Sequence, residues 1–191
     1  NPVYFIDTDG RQASSPIFDS KTGKYLGSDN LGFMRGEVLF MSSEKYKALS
    51  KNGTISHDVA IKKENSIAIS RLANTSHNLM LFNSATDFIS KVVYKAFYGV
   101  DPTKELAGGK VYTDSRKMGE ATPGAFFLDG DEFAEYRSSG GNKARIVNNF
   151  DMRRTLNTAG NIASNFEHEF RGHGGKTILN IPVGRSSSYY G

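Results

Sequence analysis

The chain has no cysteine among its 191 residues. Disulfides, cysteine-ligated zinc and thiol nucleophiles are thereby excluded, and the fold tolerates either redox compartment. Tryptophan is also absent, and proline occurs only five times. No apolar run approaches the roughly 18–20 residues that a membrane-spanning helix needs. The opening residues show neither the basic nor the apolar region of a secretory signal peptide. No segment of about 20–50 residues repeats, which excludes solenoids and propellers. Lys and Arg are scattered along the sequence, and a net charge of +4 is mild. Nucleic-acid binding is therefore permitted but not indicated.

What is present is glycine and aromatic residue: 20 Gly, 13 Phe and 9 Tyr. That composition suits an α+β domain with many turns, and the length suffices for one sizeable core. Beginning at Asn1 without a methionine, the chain reads as a piece of a longer protein.

Taken in order, NPVYFIDTDGR opens with a short strand and a turn at Asp7–Gly10. An Asp-x-Asp-Gly also begins calcium loops, but the glutamate such a loop requires further on is missing. Pro16–Asp29 reads as a hairpin turning at Ser20–Gly23, and Gly36–Met41 as a buried strand. Ser42–Ser50 reads as a short helix capped by Ser42 or Ser43, and Lys51–Thr54 as a turn. Residues 64–99 look helical in two pieces, Ser66–Asn74 and Asn78–Tyr98, the second with Phe82, Ala85, Ile89, Val92, Val93, Ala96 and Phe97 on one stripe and Gly99 as its C-cap. Next come a polar loop with a short strand at Lys110–Thr113, a strand at Gly124–Leu128, an acidic turn at 129–132 and a loop at Tyr136–Lys143. Ala144–Phe150 reads as an edge-like strand and Lys176–Pro182 as a final one.

The first segment carries a resemblance. Asn1, Pro2, Val3, Ile6, Asp7, Asp9, Gly10 and Arg11 match the stretch that closes the repeat shell of Rhs/YD-repeat proteins, with Thr8 where that family usually has Pro. The adjoining SSPIFDSKTGKYLGSDN resembles the segment found next in Bacteroidetes members of the family. This resemblance covers about the first 40 residues. It implies the C-terminal tip of a polymorphic toxin, delivered by a secretion system and kept in check by a cognate immunity protein. Tips are exchanged among unrelated activities, so the chemistry has to come from elsewhere.

Asp151–Gly175 reads as one amphipathic helix. Leu156, Ala159, Ala163, Phe166 and Phe170 recur at three- and four-residue spacings, Asp151 suits the N-cap, and Gly174 and Gly175 suit the stop. His168, Glu169 and His173 stand at its C-terminal end. Two histidines bracketing a glutamate on a helix is how zinc hydrolases hold the metal and the general base. The spacing is His-Glu-x-x-x-His, one residue longer than usual. At about 100° per residue, five positions place His168 and His173 roughly 140° apart on a straight α-helix, against about 40° in H-E-x-x-H. A break or a π-bulge near Gly172 would absorb the extra residue.

The same residues (His168, Glu169, Gly172, His173, Gly174) resemble the H-E-x-x-G-H-G signature of metallopeptidase tips in Rhs-type toxins, over about 30 residues. In that role His168 and His173 bind zinc, and Glu169 takes the proton of the attacking water. No Asp, Glu or His comes after His173, so a third ligand has to come from His57, His77, Asp129, Asp131 or Glu132, or from residues beyond Gly191.

Other readings compete. The helix end is also simply a polar face, where a protonated His173 is favoured by the helix dipole. His57 and His77 read as surface or capping residues. Glu167-x-Glu169 with Arg137-Ser138-Ser139 resembles the pattern of ADP-ribosyltransferases, whose E-x-E sits on a turn or strand edge rather than late in a helix. The Gly-rich stretches at 108–110 and 138–142 lack the P-loop spacing. A nuclease tip using His168 or His173 with a divalent metal, and a non-enzymatic binding tip, are the alternative classes.

The expectation is an α+β fold, a mixed sheet with a long active-site helix of zincin type, preceded by a small hairpin. Residues 1–35 form the Rhs boundary segment and 36–191 a zinc metallopeptidase-like toxin domain, whose partners are a protein or peptide substrate, the parent Rhs shell and an immunity protein.

Overall fold

A computed structural model describes residues 15–102, 110–116, 134–138 and 143–173. The expected elements at 1–11, 124–128 and 176–182, and the acidic turn at 129–132, lie outside the described residues. The fold is α+β.

Strands β1 (Pro16–Asp19) and β2 (Tyr25–Ser28) form the expected hairpin. Gly23 holds φ +70° in its turn, and a Cβ there would stand 2.6 Å from the Ser84 Cβ, so glycine is required twice over. Strand β3 (Leu39–Met41) pairs in parallel with β1, and β4 (Ile67–Ala68) pairs antiparallel with β3, giving the sheet order β2-β1-β3-β4. The hairpin and the residues after 36 thus share one sheet.

Side-chain alternation divides this sheet into two faces. Phe18 and Phe40 join a core with Phe82, Ile89, Phe150 and Ile162. Their neighbours Ile17, Leu39 and Met41 face the other way, against Tyr46, Ile55 and Ala60. The second face is covered by α1 (Ser43–Leu49) and the short α2 (His57–Ala60). Ser42 caps α1 by accepting from the Lys45 N–H at 3.2 Å.

The segment expected to be helical at Ser66–Asn74 instead supplies β4 and a 3₁₀ turn at Ile69–Arg71. The Ile69 N–H donates to the Val38 carbonyl at 2.8 Å, so the edge of β3 captures backbone that local propensity alone leaves undecided. Helix α3 (Ser76–Tyr98) then starts at the Thr75 cap and ends at Gly99, whose φ of +73° closes it as expected. Its buried stripe runs Leu81, Phe82, Ala85, Ile89, Val93 and Tyr94; Phe97, expected on it, is 75% exposed.

The second sheet holds β5 (Lys110–Arg116), β6 (Ala134–Ser138) and β7 (Lys143–Asn149) in the order β5-β7-β6. β7, expected at an edge, is central: it is parallel to β5 and antiparallel to β6. Tyr136–Ser138, expected in a loop, belong to β6.

Asp19 ties the turn of the hairpin to α1. Its Oδ2 accepts from the Ser43 N–H at 2.9 Å and hydroxyl at 2.6 Å, and its Oδ1 from the Thr22 N–H and hydroxyl, both at 2.8 Å. Burial pushes the carboxyl pKa up, but these bonds from Ser43 and Thr22 outweigh it and hold the group well below the usual carboxylate range. A depressed folded-state pKa contributes stability that is present above the unfolded value near 4 and is lost as pH falls through the folded one. Asp19→Asn is therefore expected to lower the melting temperature at neutral pH, and the gap from wild type should shrink below about pH 4. A gap unchanged down to about pH 2 would show that ionised Asp19 does not stabilise the fold.

Candidate functional site

The helix expected from Asp151 begins later. Phe150–Met152 form a 3₁₀ turn, residues 153–157 are turns, and α4 (Ala159–Glu167) starts at the Thr158 cap, whose side chain accepts from the Asn161 N–H at 3.1 Å. The reason lies in the packing upstream. Phe150 and Leu156 are both fully buried, and Arg153 donates to the carbonyls of Leu72 (2.8 Å) and Phe150 (3.1 Å), which holds this stretch against the first core as a turn. The anticipated stripe of Leu156, Ala159, Ala163, Phe166 and Phe170 is buried throughout.

At the C-terminal end of α4 the winding changes. From His168 to His173 the backbone is a π-helix. The His168 N–H is shared between the carbonyls of Ser164 and Asn165 where the α-helix gives way. In a π-helix the hydrogen bond runs from i to i+5, so residue i+5 occupies the place above residue i that i+4 takes in an α-helix. Residues 168 and 173 are related by that spacing. The extra residue of His-Glu-x-x-x-His is absorbed, and the two positions fall one turn apart along the backbone.

An aromatic clamp fixes the π segment. Phe166 and Phe170 stack with centroids 5.5 Å apart, and each meets the Tyr94 ring edge-on, at 5.8 and 5.5 Å. The Arg171 guanidinium lies 4.3 Å from the Tyr98 ring centroid and donates to the Tyr94 hydroxyl at 2.9 Å. The Tyr98 hydroxyl in turn donates to the Glu167 carboxylate. These contacts to the last turns of α3 set the orientation of the helix end. His168 is exposed, whereas Glu169 is buried to 8% exposure beside the fully buried Phe170.

Of the other candidate ligands, His77 stands apart from this end. His77 is on the first turn of α3, with its Nε2 2.9 Å from the Ser20 carbonyl. Tyr94 and Tyr98 lie 17 and 21 positions further along that helix, which at 1.5 Å per residue puts His77 about 25–30 Å from the clamp. His57 pairs its Nδ1 with Asp29 at 2.6 Å. Among the described residues no three His, Cys, Asp or Glu gather to hold one metal ion. Asp129, Asp131 and Glu132 lie outside the described residues. Of the E-x-E constellation, Glu167 closes α4, Glu169 lies in the π turn, and Arg137 and Ser138 are on β6.

Sequence reading missed Asn148. It is fully buried on β7, a strand against which the π segment packs, and its Oδ1 and Nδ2 have no hydrogen-bond partner among the described residues. An unpaired buried amide is costly, and no local pattern in ARIVNNF announces it. The arginine contacts of the clamp were equally hidden, since Tyr94 and Arg171 are 77 positions apart.

Compared with known proteins, the chain matches no family model, no curated protein and no solved structure. Truncating Phe170 tests the clamp: Phe170→Ala is expected to lose about 3–5 kcal/mol in urea unfolding. Amide exchange at 168–173 should also accelerate relative to α3. A loss under about 1 kcal/mol would mean that the aromatic cluster does not anchor the π turn.

Proposed function

We propose that the chain is a zinc-dependent, metallopeptidase-like toxin domain acting on a protein or peptide in a competing cell. The observation that carries this reading is the π register at His168–His173, because it removes the geometric objection to His-Glu-x-x-x-His. Two imidazoles beside a carboxylate are a donor set suited to zinc. His168 and His173 would hold the ion, with Asp129, Asp131, Glu132 or a residue beyond Gly191 among the candidates for the third ligand. When bound, zinc polarises a scissile carbonyl and supplies hydroxide near neutral pH.

The chain's own residues do the rest. Glu169, next in sequence to His168, accepts the proton of the attacking water and passes it to the amine that leaves as the peptide C–N bond breaks. Glu169 is buried to 8% exposure, and burial strengthens the electrostatic work that a carboxylate does there. A cavity of about 190 Å³ between α3 and α4, lined by Tyr98, Phe97, Ala163 and Glu167, adjoins the segment and offers room for an apolar side chain of a substrate. Delivery from an Rhs shell and inhibition by a cognate immunity protein rest on the resemblance of the first 40 residues or so. Among the described residues no helix is long and apolar enough to cross a membrane.

Metal analysis tests the site. Purified protein should carry about one zinc per chain, and His168→Ala and His173→Ala should each lose it; unchanged metal content sinks the proposal. Glu169→Gln should keep the metal while abolishing toxicity on expression in a susceptible cell. Deleting Gly172 converts the motif to His-Glu-x-x-His, and an α-helical end should then retain zinc. If that deletion alone abolishes binding while the fold survives, the histidines do not share an ion.

A further inference from the structure

Arginines that are scattered in the sequence come together in the fold. Two cavities, of about 370 and 670 Å³, adjoin along one side of the molecule, with Glu37 and Arg71 lining both. Arg35 lines the smaller, and Arg153 and Arg154 line the larger. Among the described residues Glu37 is the single carboxylate lining either cavity, and its Oε1 accepts from the Ser70 N–H at 3.2 Å. Four arginines and one carboxylate line the two cavities, and Arg153 also lies 4.0 Å from the Asp151 carboxylate, so Arg71 and Arg154 carry the positive charge of the cleft.

The smaller cavity holds a second, independent feature. His57 lines it, with Nδ1 held 2.6 Å from Asp29, whose side chain is fully buried. Asp29 is itself fixed by the Leu31 N–H at 3.1 Å, and the His57 N–H donates to the Asn30 side chain at 2.8 Å. A buried carboxylate on one ring nitrogen sets the orientation of the imidazole and leaves Nε2 as the nitrogen that the cavity can use. Ser15 lines the same cavity; it is 1% exposed, and its hydroxyl has no hydrogen-bond partner among the described residues. A buried hydroxyl without a partner is costly.

We propose that the paired cavities bind the phosphodiester backbone of a single-stranded nucleic acid. Guanidinium groups match phosphate geometry, and two joined cavities sharing Arg71 suit successive phosphates of one strand. The smaller cavity has a volume of about 370 Å³. Among the described residues no aromatic side chain other than the His57 imidazole lines either cavity, so recognition falls to the backbone rather than to stacked bases. This site lies beside α2 and the start of α4, and it does not depend on the zinc reading of the other end of that helix.

Fluorescence anisotropy with labelled RNA and DNA oligonucleotides of about ten nucleotides decides the matter. Both should bind, and affinity should fall with salt by a slope of roughly −0.7 per neutralised phosphate. RNA binding without DNA binding would still support the cleft and would identify the 2′-hydroxyl as a contact. Arg71→Ala combined with Arg154→Ala, both exposed side chains, should weaken binding about tenfold or more and reduce the slope by roughly 1.4. Lys91→Ala with Lys95→Ala removes the same charge from α3 and should leave affinity unchanged. Should the double arginine variant unfold, Arg154→Gln alone carries the comparison. No binding at low salt, no loss in the arginine variant, or an equal loss in the lysine control would each overturn the proposal.

Discussion

Phe82, Ala85 and Ile89 lie fully buried on α3, wedged between the Phe18 and Phe40 face of the first sheet and the Ile162 face of α4. Burial of side chains the size of Phe82 and Ile89 contributes on the order of 1.5–3 kcal/mol each before entropy is counted. The placement of the hairpin and of α4 among the described residues hangs from this wedge. One end of α3 receives the hairpin through His77 and Ser20, and the other end supplies Tyr94 and Tyr98 to the clamp. A single helix thereby fixes the distance between the hairpin and the last turns of α4.

Periodicity made much of this legible. The hairpin, the Ser42 cap, the bulk of α3, its Gly99 stop and the apolar stripe of α4 all come from local signals. What failed did so for tertiary reasons. Ile67–Arg71 carries an ambiguous apolar pattern, and the open edge of β3 decided it. Asp151 is an attractive cap, but the burial of Phe150 and Leu156 held the next turn out of the helix until Thr158. β7 sits at the centre of its sheet because β5, distant in sequence, pairs along one side of it and β6 along the other.

The candidate site shows the same division. Histidine and glutamate identities were visible in the sequence, and so was the misfit of their spacing. The π turn that resolves the misfit rests on Phe166, Phe170 and Arg171 meeting α3, contacts that span some 70 positions and leave no local trace. Arg35, Arg71, Arg153 and Arg154 are a sharper case. Counted along the chain they are dispersed charge; only the bridge of Glu37 to Thr158 and the turn at 153–157 bring them to one cleft.

The parallel pairing of β1 with β3 has a consequence for how the chain tolerates being severed. A scissor placed near residue 35, where the resemblance suggests a seam, would take away two of four strands together with Phe18 and Phe33. β3 would become an unprotected edge with a naked apolar face, the kind of surface that recruits other chains into aggregates. A soluble product of trimming therefore has to keep Pro16–Asp19, and the inherited-looking hairpin is as much a part of the folding unit as the helix that carries the histidines.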